Sequence, residues 1–452
     1  MAFHGGTTSV TSNECPPQQQ IDETPDPSLL SQVVYLLHSC RSPNTTVLQN
    51  VHQKIQEFNT NVEFNFYLLH IVKRNFQNVQ IDPETLEKTD EHTRQLAFIL
   101  LKNNVKRIYP SMPQQLKHRI KETTLSILGD ETRNLRHMVG VVVTGILQNS
   151  TYGFEDWPEL LPKIVEALEK GKSSDSVPAV LIEGIFSALD KICEDCSDTL
   201  ELDLSKAANI AKNWKCFENG DTNAQGDSNS AQNITQPENP RNLNFCPKII
   251  DPQPHLNPEE SPLYQLLPLF IDYFNYQNPE VKSLAVSCCN HFIVSRTGTL
   301  NLFLDKFITG LFALANDNYN SPEYENVQRQ VCRALVLLLE IQNDCLESHM
   351  PGIVDYMLYQ TQCATRNVAI EACEFWLTLA EQSEVSKYVL TQNGRLGKLV
   401  PILIKGMKYA EDDPILLKTE ENDGLEPDND QDIRPRTMKA SKVSEFFFCF
   451  FF

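Results

Sequence analysis

Long apolar runs are missing from this chain of 452 residues. No stretch approaches the roughly 18 to 20 consecutive apolar residues that a transmembrane helix requires. The N-terminus, which contains His4, Gly5 and Gly6, also lacks the basic and apolar blocks of a signal peptide. We therefore expect a soluble protein that does not enter the secretory route by a signal peptide.

An excess of positive charge is missing as well. The chain has 39 Lys and Arg residues against 59 Asp and Glu residues, which gives a net charge of −20. Such a balance disfavours nonspecific binding to nucleic acid or to an anionic membrane, and its natural complement is a basic protein. The 13 cysteines, an odd number scattered through apolar stretches, are typical of a reducing compartment, so we expect the cytosol or the nucleus.

Catalytic and nucleotide-binding motifs are absent too. The sequence contains no Walker A motif, no G-x-G-x-x-G and no H-E-x-x-H, so it predicts no enzyme, no cofactor and no metal site. Cys193 and Cys196 form the one C-x-x-C, and neither Cys216 nor Cys246 has the spacing of a second zinc-binding pair. We interpret the pair as a packed helix end and His291, on an apolar helix, as a structural histidine. An enzyme that uses one of these cysteines would lack a base.

Apolar residues instead recur at i, i+3, i+4 and i+7 from about Leu29 to Met407, which is the pattern of one helix face. The pattern is clear from Trp157 to Leu168 and from Val281 to Ile293. Alternating segments long enough for a sheet are scarce. The sequence therefore predicts an all-α protein.

The helices recur in pairs. Four similar apolar segments carry a proline, at Pro162, Pro268, Pro351 and Pro401, and we expect each proline to mark the first turn of a first helix. After the first three comes a polar turn and a second helix rich in Ala and Cys. The spacing between successive helix pairs is close to the period of about 40 to 47 residues found in HEAT and armadillo repeats. We therefore predict a HEAT-repeat solenoid.

Composition predicts the boundaries. We expect a disordered leader at 1–27, HEAT repeats one to four at 28–202, and a disordered insertion rich in Asn, Gln, Gly and Pro at 203–261. Repeats five to eight should follow at 262–410, with the eighth incomplete, and then an acidic segment at 411–436. The last segment, 437–452, is an aberrant Phe-rich tail that we interpret as translated intron or an incomplete gene model.

Acidic residues on the second helices have two interpretations. They are either the solvated faces of amphipathic helices or part of the concave surface on which solenoids bind partners. Sequence alone leaves both open.

Several strings resemble the importin β family. The run from Leu100 to Lys106 matches the LKN helix end of its N-terminal domain, which we place at about 45–115, and the run from Glu155 to Pro162 matches its W-P-x-L-L helix start. Longer strings, such as EACEFWLTLAEQ from Glu371 to Gln382, resemble one branch of that family with a long acidic loop in its eighth repeat.

The resemblance implies a nuclear import receptor that shuttles between cytoplasm and nucleus and whose N-terminal arch binds the GTP form of the Ran GTPase. It also implies possible contacts with nuclear pore proteins, and cargo with Pro-Tyr-type signals in a complete receptor only, since the C-terminal arch that holds them would lie beyond Arg436. The alternative is a HEAT scaffold that bridges proteins without GTPase dependence.

The Ran-binding residues that the resemblance implies are Lys102, Asn103, Asn104, Glu183, Glu194, Asp195, Glu371 and Glu374. The acidic loop would include Glu411, Asp412, Asp413, Glu420, Glu421, Asp423, Glu426, Asp428, Asp430 and Asp432.

Overall fold

The computed structural model describes residues 24–76, 79–151, 153–173, 177–218, 262–316, 321–341, 343–363, 365–391 and 394–407. Within these ranges every regular element is an α-helix or a short 3-10 turn. The prediction of an all-α fold is therefore confirmed. Two compact units, Met1–Ile127 and Leu128–Phe452, divide the chain.

The first unit contains six described helices. They are α1 (Pro27–His38), α2 (Thr45–Phe58), α3 (Phe64–Lys73), α4 (Pro83–Lys88), α5 (Glu91–Ile108) and α6 (Gln114–Ile127). Four of them begin at a side chain that accepts a hydrogen bond from a first-turn amide, namely Asp26, Asn44, Asp82 and Asp90. Such caps satisfy amides that the helix itself leaves unpaired.

The second unit contains the remaining described helices. They are α7 (Arg133–Gln148), α8 (Leu160–Ser173), α9 (Ala179–Glu218), α10 (Pro262–Asp272), α11 (Pro279–Val294), α12 (Gly298–Asn316), α13 (Glu325–Ile341), α14 (Met350–Thr361), α15 (Arg366–Glu381), α16 (Ser383–Thr391) and α17 (Arg395–Gly406). Within this unit the predicted pairs are visible as α8 with α9, α10 with α11, α12 with α13 and α14 with α15.

Two of the four predicted helix starts are wrong. Pro162 and Pro351 lie in the first turns of α8 and α14, as expected. Pro268 and Pro401 instead lie inside α10 and α17, which begin more than one turn earlier, at Pro262 and Arg395. Apolar side chains continue across these prolines, so packing of the stripe outweighs the one hydrogen bond that each proline removes.

Helix α9 crosses a predicted boundary. It runs to Glu218 and is interrupted by one non-helical residue, Cys196, with φ −133° and ψ 23°. The predicted start of the insertion at 203 therefore falls within this helix. Residues 219–261, the leader up to residue 23 and everything after residue 407 lie outside the described residues.

Helix α12 is long and apolar enough to cross a membrane by length and composition alone, with a mean hydropathy of 1.2. In the structure it packs against α10 and α13 and buries Phe307, Leu311 and Leu314. Its Lys306 forms an ion pair with Asp272 of α10 at 2.8 Å. A helix packed between other helices can have the same length and hydropathy as a membrane-spanning one. The contacts of α12 with α10 and α13 are those of a packed helix.

Candidate protein-binding surface on the second helices

The second helices of successive pairs form a continuous layer in the second unit. Helices α7, α9, α11, α13 and α15 each pack against the next one along the chain. We call these five helices the second-helix layer. They bury aliphatic and aromatic side chains toward their neighbours and toward the first helices, such as Phe186, Phe292, Leu335 and Phe375. Each repeat thus buries its apolar face only against adjacent repeats, as in other solenoids.

Polar contacts also connect consecutive helices of the layer. Asp190 of α9 lies 3.1 Å from the Nε2 atom of His291 on α11, and the amide of Asn367 on α15 donates to Glu325 of α13 at 2.9 Å. These contacts set the register of one helix against the next. The polar residues of the second helices therefore include structural residues as well as candidates for partner contact.

Glu183 is one of the structural residues. It accepts a hydrogen bond from the Nη2 atom of Arg136 at 3.0 Å, and Arg133 and His137 approach the same Oε1 atom at 3.5 and 3.7 Å. Its side chain is only 13% exposed. Arg133 also pairs with Glu280 of α11 at 2.9 Å. The predicted partner residue Glu183 is therefore largely committed to internal contacts.

Glu194 and Asp195 lie on α9 around one lysine. The Nζ atom of Lys191 is 2.8 Å from Glu194 and 3.0 Å from Asp195. Desolvation lowers the pKa of Lys191, but hydrogen bonds to the two carboxylates outweigh it and the net pKa is raised. The group keeps a net negative charge at the surface, since two carboxylates share one ammonium.

Glu371 and Glu374 lie on α15, which also carries a stripe of buried apolar residues. The stripe contains Trp376, whose indole N–H donates to the hydroxyl of Thr361 on α14 at 2.8 Å and so fixes α15 against its first helix. Both glutamates are half-buried. Burial raises the pKa of the Cys332 thiol on α13, a hydrogen bond with Tyr356 opposes this effect, and the charge of Glu371 raises the pKa further. The structure thus holds both glutamates on the second-helix layer.

Two cations on the same layer were missed by reasoning from acidic residues alone. Arg329 is half-buried and Arg333 is exposed, and they lie one turn apart on α13, beside the helix that carries Glu371. Their i, i+4 spacing on the polar side of an amphipathic helix was visible in the sequence. The surface here therefore has both signs of charge.

The predicted residues of the first unit lie on α5. Lys102 is half-buried and Asn103 is exposed, whereas Asn104 is buried. The Asn104 amide donates to Asn65 at 2.9 Å and to Asn59 at 3.0 Å. Asn104 therefore holds α5 against α3 and the turn before it. The ten predicted residues of the acidic loop, from Glu411 to Asp432, lie outside the described residues.

The cysteines of the second-helix layer are packing residues. Cys193 and Cys196 are buried, and burial raises the pKa of the neighbouring Cys288 and Cys289 thiols on α11 well above the ordinary value. Such thiols are poor nucleophiles and poor metal ligands. No cluster of three or more His, Cys, Asp or Glu side chains suited to a metal occurs among the residues that the structure describes.

Known structures share this arrangement of helix pairs. A crystal structure of importin β from an ammonium sulfate condition has a TM-score of 0.54 at 15% identity and covers 84% of this chain and 39% of its own. A structure of Kap95p, whose binding induces the switch loops of RanGDP to adopt the GTP-bound conformation, has a TM-score of 0.53 at 13% identity, over 85% of this chain and 39% of its own. The fold is the HEAT solenoid of importin β proteins.

Sequence comparison gives the family. The importin-beta N-terminal domain matches residues 51–130. Transportin-1 of Mus musculus is 37% identical over 422 residues, which are 93% of this chain and 38% of the relative. Transportin of Dictyostelium discoideum is 29% identical over 411 residues, or 91% of this chain and 35% of the relative. The chain belongs to the importin β family, and it matches the N-terminal part of its transportin members. It spans little more than a third of the length of these relatives.

Proposed function

We propose that this chain is the Ran-binding part of a nuclear import receptor of the transportin type. The observation that carries the proposal is the second-helix layer, a surface of known solenoid geometry on a chain that matches transportins over 93% of its length. Support also comes from Kap95p, a protein of the same fold that binds Ran according to its structure. Binding of Ran in its GTP form would be coupled to weaker cargo binding in a complete receptor.

Partner contacts on this surface are assigned to Glu371 and Glu374 on α15 and to the Lys191 group on α9. Glu183 is left out because its side chain is 13% exposed and paired with Arg136. A basic patch of the GTPase would lie against the glutamates of α15. The localisation in cytoplasm and nucleus, and contacts with nuclear pore proteins such as the Nup1 bound to Kap95, belong to the same proposal.

The test is the association rate of GTP-loaded and GDP-loaded Ran with the 452-residue chain. We expect the GTP form to bind more tightly. Reversing both charges, Glu371→Lys with Glu374→Lys, should slow association about tenfold at low salt and flatten its salt dependence, because charges near an interface act mainly through steering.

A matched control reverses two exposed glutamates outside the second-helix layer, Glu159→Lys with Glu347→Lys. This pair changes net charge by the same amount and should change association less than twofold. Equal slowing by both pairs would assign the effect to net charge alone. Equal affinity for GTP-loaded and GDP-loaded Ran would favour a scaffold without GTPase dependence.

A further inference from the structure

A cavity of about 270 Å³ opens between α3 and α6 in the first unit. Its apolar wall contains Phe66 and Leu69 of α3, and its polar wall contains Arg119 and Glu122 of α6 together with Lys73 at the end of α3. The volume suits one or two amino-acid side chains. Both walls come from rigid helices that pack against each other, so the cavity exists before any ligand arrives.

Cations outnumber anions at this cavity, although the whole chain has a net charge of −20. Neither Lys73 nor Arg119 forms an ion pair with a carboxylate among the described residues. Glu122, the one carboxylate at the cavity, is 3.4 Å from the Nε2 atom of His118 on the outer side of α6. The two cations therefore have no internal anion to neutralise them.

The cationic groups are also held in place by aromatic contacts. The guanidinium of Arg119 lies over the ring of Phe66, 5.0 Å from its centroid. The imidazole of His70 meets the same ring edge to face at 4.7 Å between centroids. A stacked guanidinium is already oriented, so less side-chain entropy is lost when it binds a carboxylate.

His70 is a third group at the cavity, and a bound anion would change its pKa. Burial lowers the pKa of His70, a hydrogen bond between its Nδ1 atom and the Asn75 carbonyl opposes that effect, and the positive charges of Arg119 and Lys73 lower the pKa further. An anion placed beside Arg119 and Lys73 would cancel part of their repulsion. Protonation of His70 and binding of an anion should therefore favour each other.

We propose that this cavity binds the carboxylate of an acidic peptide segment, with an adjacent apolar side chain of the peptide against Phe66 and Leu69. Lys73 and Arg119 supply the charge-assisted hydrogen bonds, and Glu122 restricts the site to short segments of low charge. Long polyanions such as nucleic acid are repelled by the net charge of the whole chain. This site lies on α3 and α6 and is independent of the Ran-binding proposal.

The experiment is a fluorescence anisotropy titration of the 452-residue chain with a labelled hexapeptide that carries one aspartate beside one leucine. The same peptide with asparagine in place of aspartate tests the carboxylate. Arg119→Gln and Lys73→Gln should each weaken binding roughly tenfold, which is the loss of one charge-assisted hydrogen bond. Glu122→Gln should strengthen binding about threefold, because a repulsive charge is removed.

Two exposed residues of the second unit, which lie outside the cavity, supply charge-matched controls. Lys163→Gln and Glu159→Gln change the net charge equally and should leave the affinity within about twofold. Equal effects of Lys163→Gln and Arg119→Gln, equal binding of the aspartate and asparagine peptides, or no gain from Glu122→Gln would each overturn the proposal. Since Arg119→Gln removes a ring contact as well as a charge, Lys73→Gln and Glu122→Gln keep the test independent of folding.

Affinity should also rise as the pH falls through the titration of His70. Protonation adds a positive charge beside Lys73 and Arg119. His70→Gln should abolish this rise, because the variant has no imidazole to protonate. The same pH profile in the variant would exclude His70 from the site.

Discussion

Two buried arginines, Arg136 on α7 and Arg395 on α17, both bind backbone carbonyls and a carboxylate, but the two carboxylates differ in solvent exposure. Each donates to backbone carbonyls, at 2.7 Å to Asp130 for Arg136 and at 3.2 Å to Pro351 for Arg395. Arg136 also pairs at 3.0 Å with Glu183, which is 13% exposed, whereas Arg395 meets Asp355 at 3.4 Å, and Asp355 is 68% exposed.

The difference shows how much a contact depends on the number of neighbours. Helix α9, which carries Glu183, lies between α7 and α11 and receives packing from both sides. Helix α17 buries only Arg395 and Leu399 among its described residues. The Arg136–Glu183 ion pair is therefore shielded from water within the second-helix layer. The Arg395–Asp355 ion pair is open to water at α17, and solvent weakens it.

The largest expected effect separates the two arginines. Arg136→Met should destabilise the α7 and α9 region by about 3 to 5 kcal/mol, because it leaves the poorly exposed Glu183 with weaker partners and two carbonyls without donors. Arg395→Met should cost about 1 to 2 kcal/mol. Hydrogen exchange of α7, α9 and α17 measures both. Equal losses would show that burial of the carboxylate partner is unimportant.

A pair of glycines gives the next effect. A Cβ atom at Gly184 of α9 would overlap the backbone carbonyl oxygen of Leu128, while one at Gly397 of α17 would meet nothing within 4 Å. Gly184→Ala should therefore destabilise by roughly 2 to 3 kcal/mol through overpacking. Gly397→Ala should stabilise by up to about 1 kcal/mol, since alanine favours a helix interior.

Thermal unfolding of the two glycine variants provides the measurement. A drop in the transition temperature for Gly184→Ala with no drop for Gly397→Ala agrees with the contrast between the packed and the open helix. A fall of similar size in both would contradict that contrast.

The smallest effect concerns a half-buried carboxylate of the first helices, Asp272. Asp272 on α10 pairs with Lys172 of α8 and with Lys306 of α12. Burial raises the pKa of Asp272, but hydrogen bonds from the two lysines outweigh it and the net pKa lies below the ordinary value. Because the folded-state pKa is the lower one, the pair stabilises the fold above the unfolded-state pKa, and this contribution is lost as the pH falls through the folded-state pKa.

Asp272→Asn should therefore cost about 0.5 to 1 kcal/mol at pH 7, a small value because both lysines are half exposed. The difference from the unchanged chain should shrink toward zero at a second, strongly acidic pH below the lowered folded-state pKa of Asp272, where its carboxyl group is neutral. Urea unfolding at the two pH values checks the sign. A difference that grows at low pH would contradict the assignment of the ion pair.

The sequence alone determined the fold class and the repeat. Apolar spacing and turn residues such as Asn278 and Pro279 define a helix locally, because capping and amphipathicity act within one or two turns. Family strings such as the one from Glu371 to Gln382 added the solenoid family. Helix starts were less predictable, and Pro268 and Pro401 show that tertiary packing can extend a helix past a proline.

Only the tertiary structure decided which polar residues are available to a partner. Glu183 and Glu371 look alike in the sequence, as do Asn103 and Asn104. Their roles differ because one residue of each pair interacts with a residue that is distant in the chain. Glu183 forms an ion pair with Arg136, and the Asn104 amide donates a hydrogen bond to Asn65. The cavity between α3 and α6 likewise brings Lys73 within one site with Arg119, a proximity that helix packing creates and that no local spacing encodes.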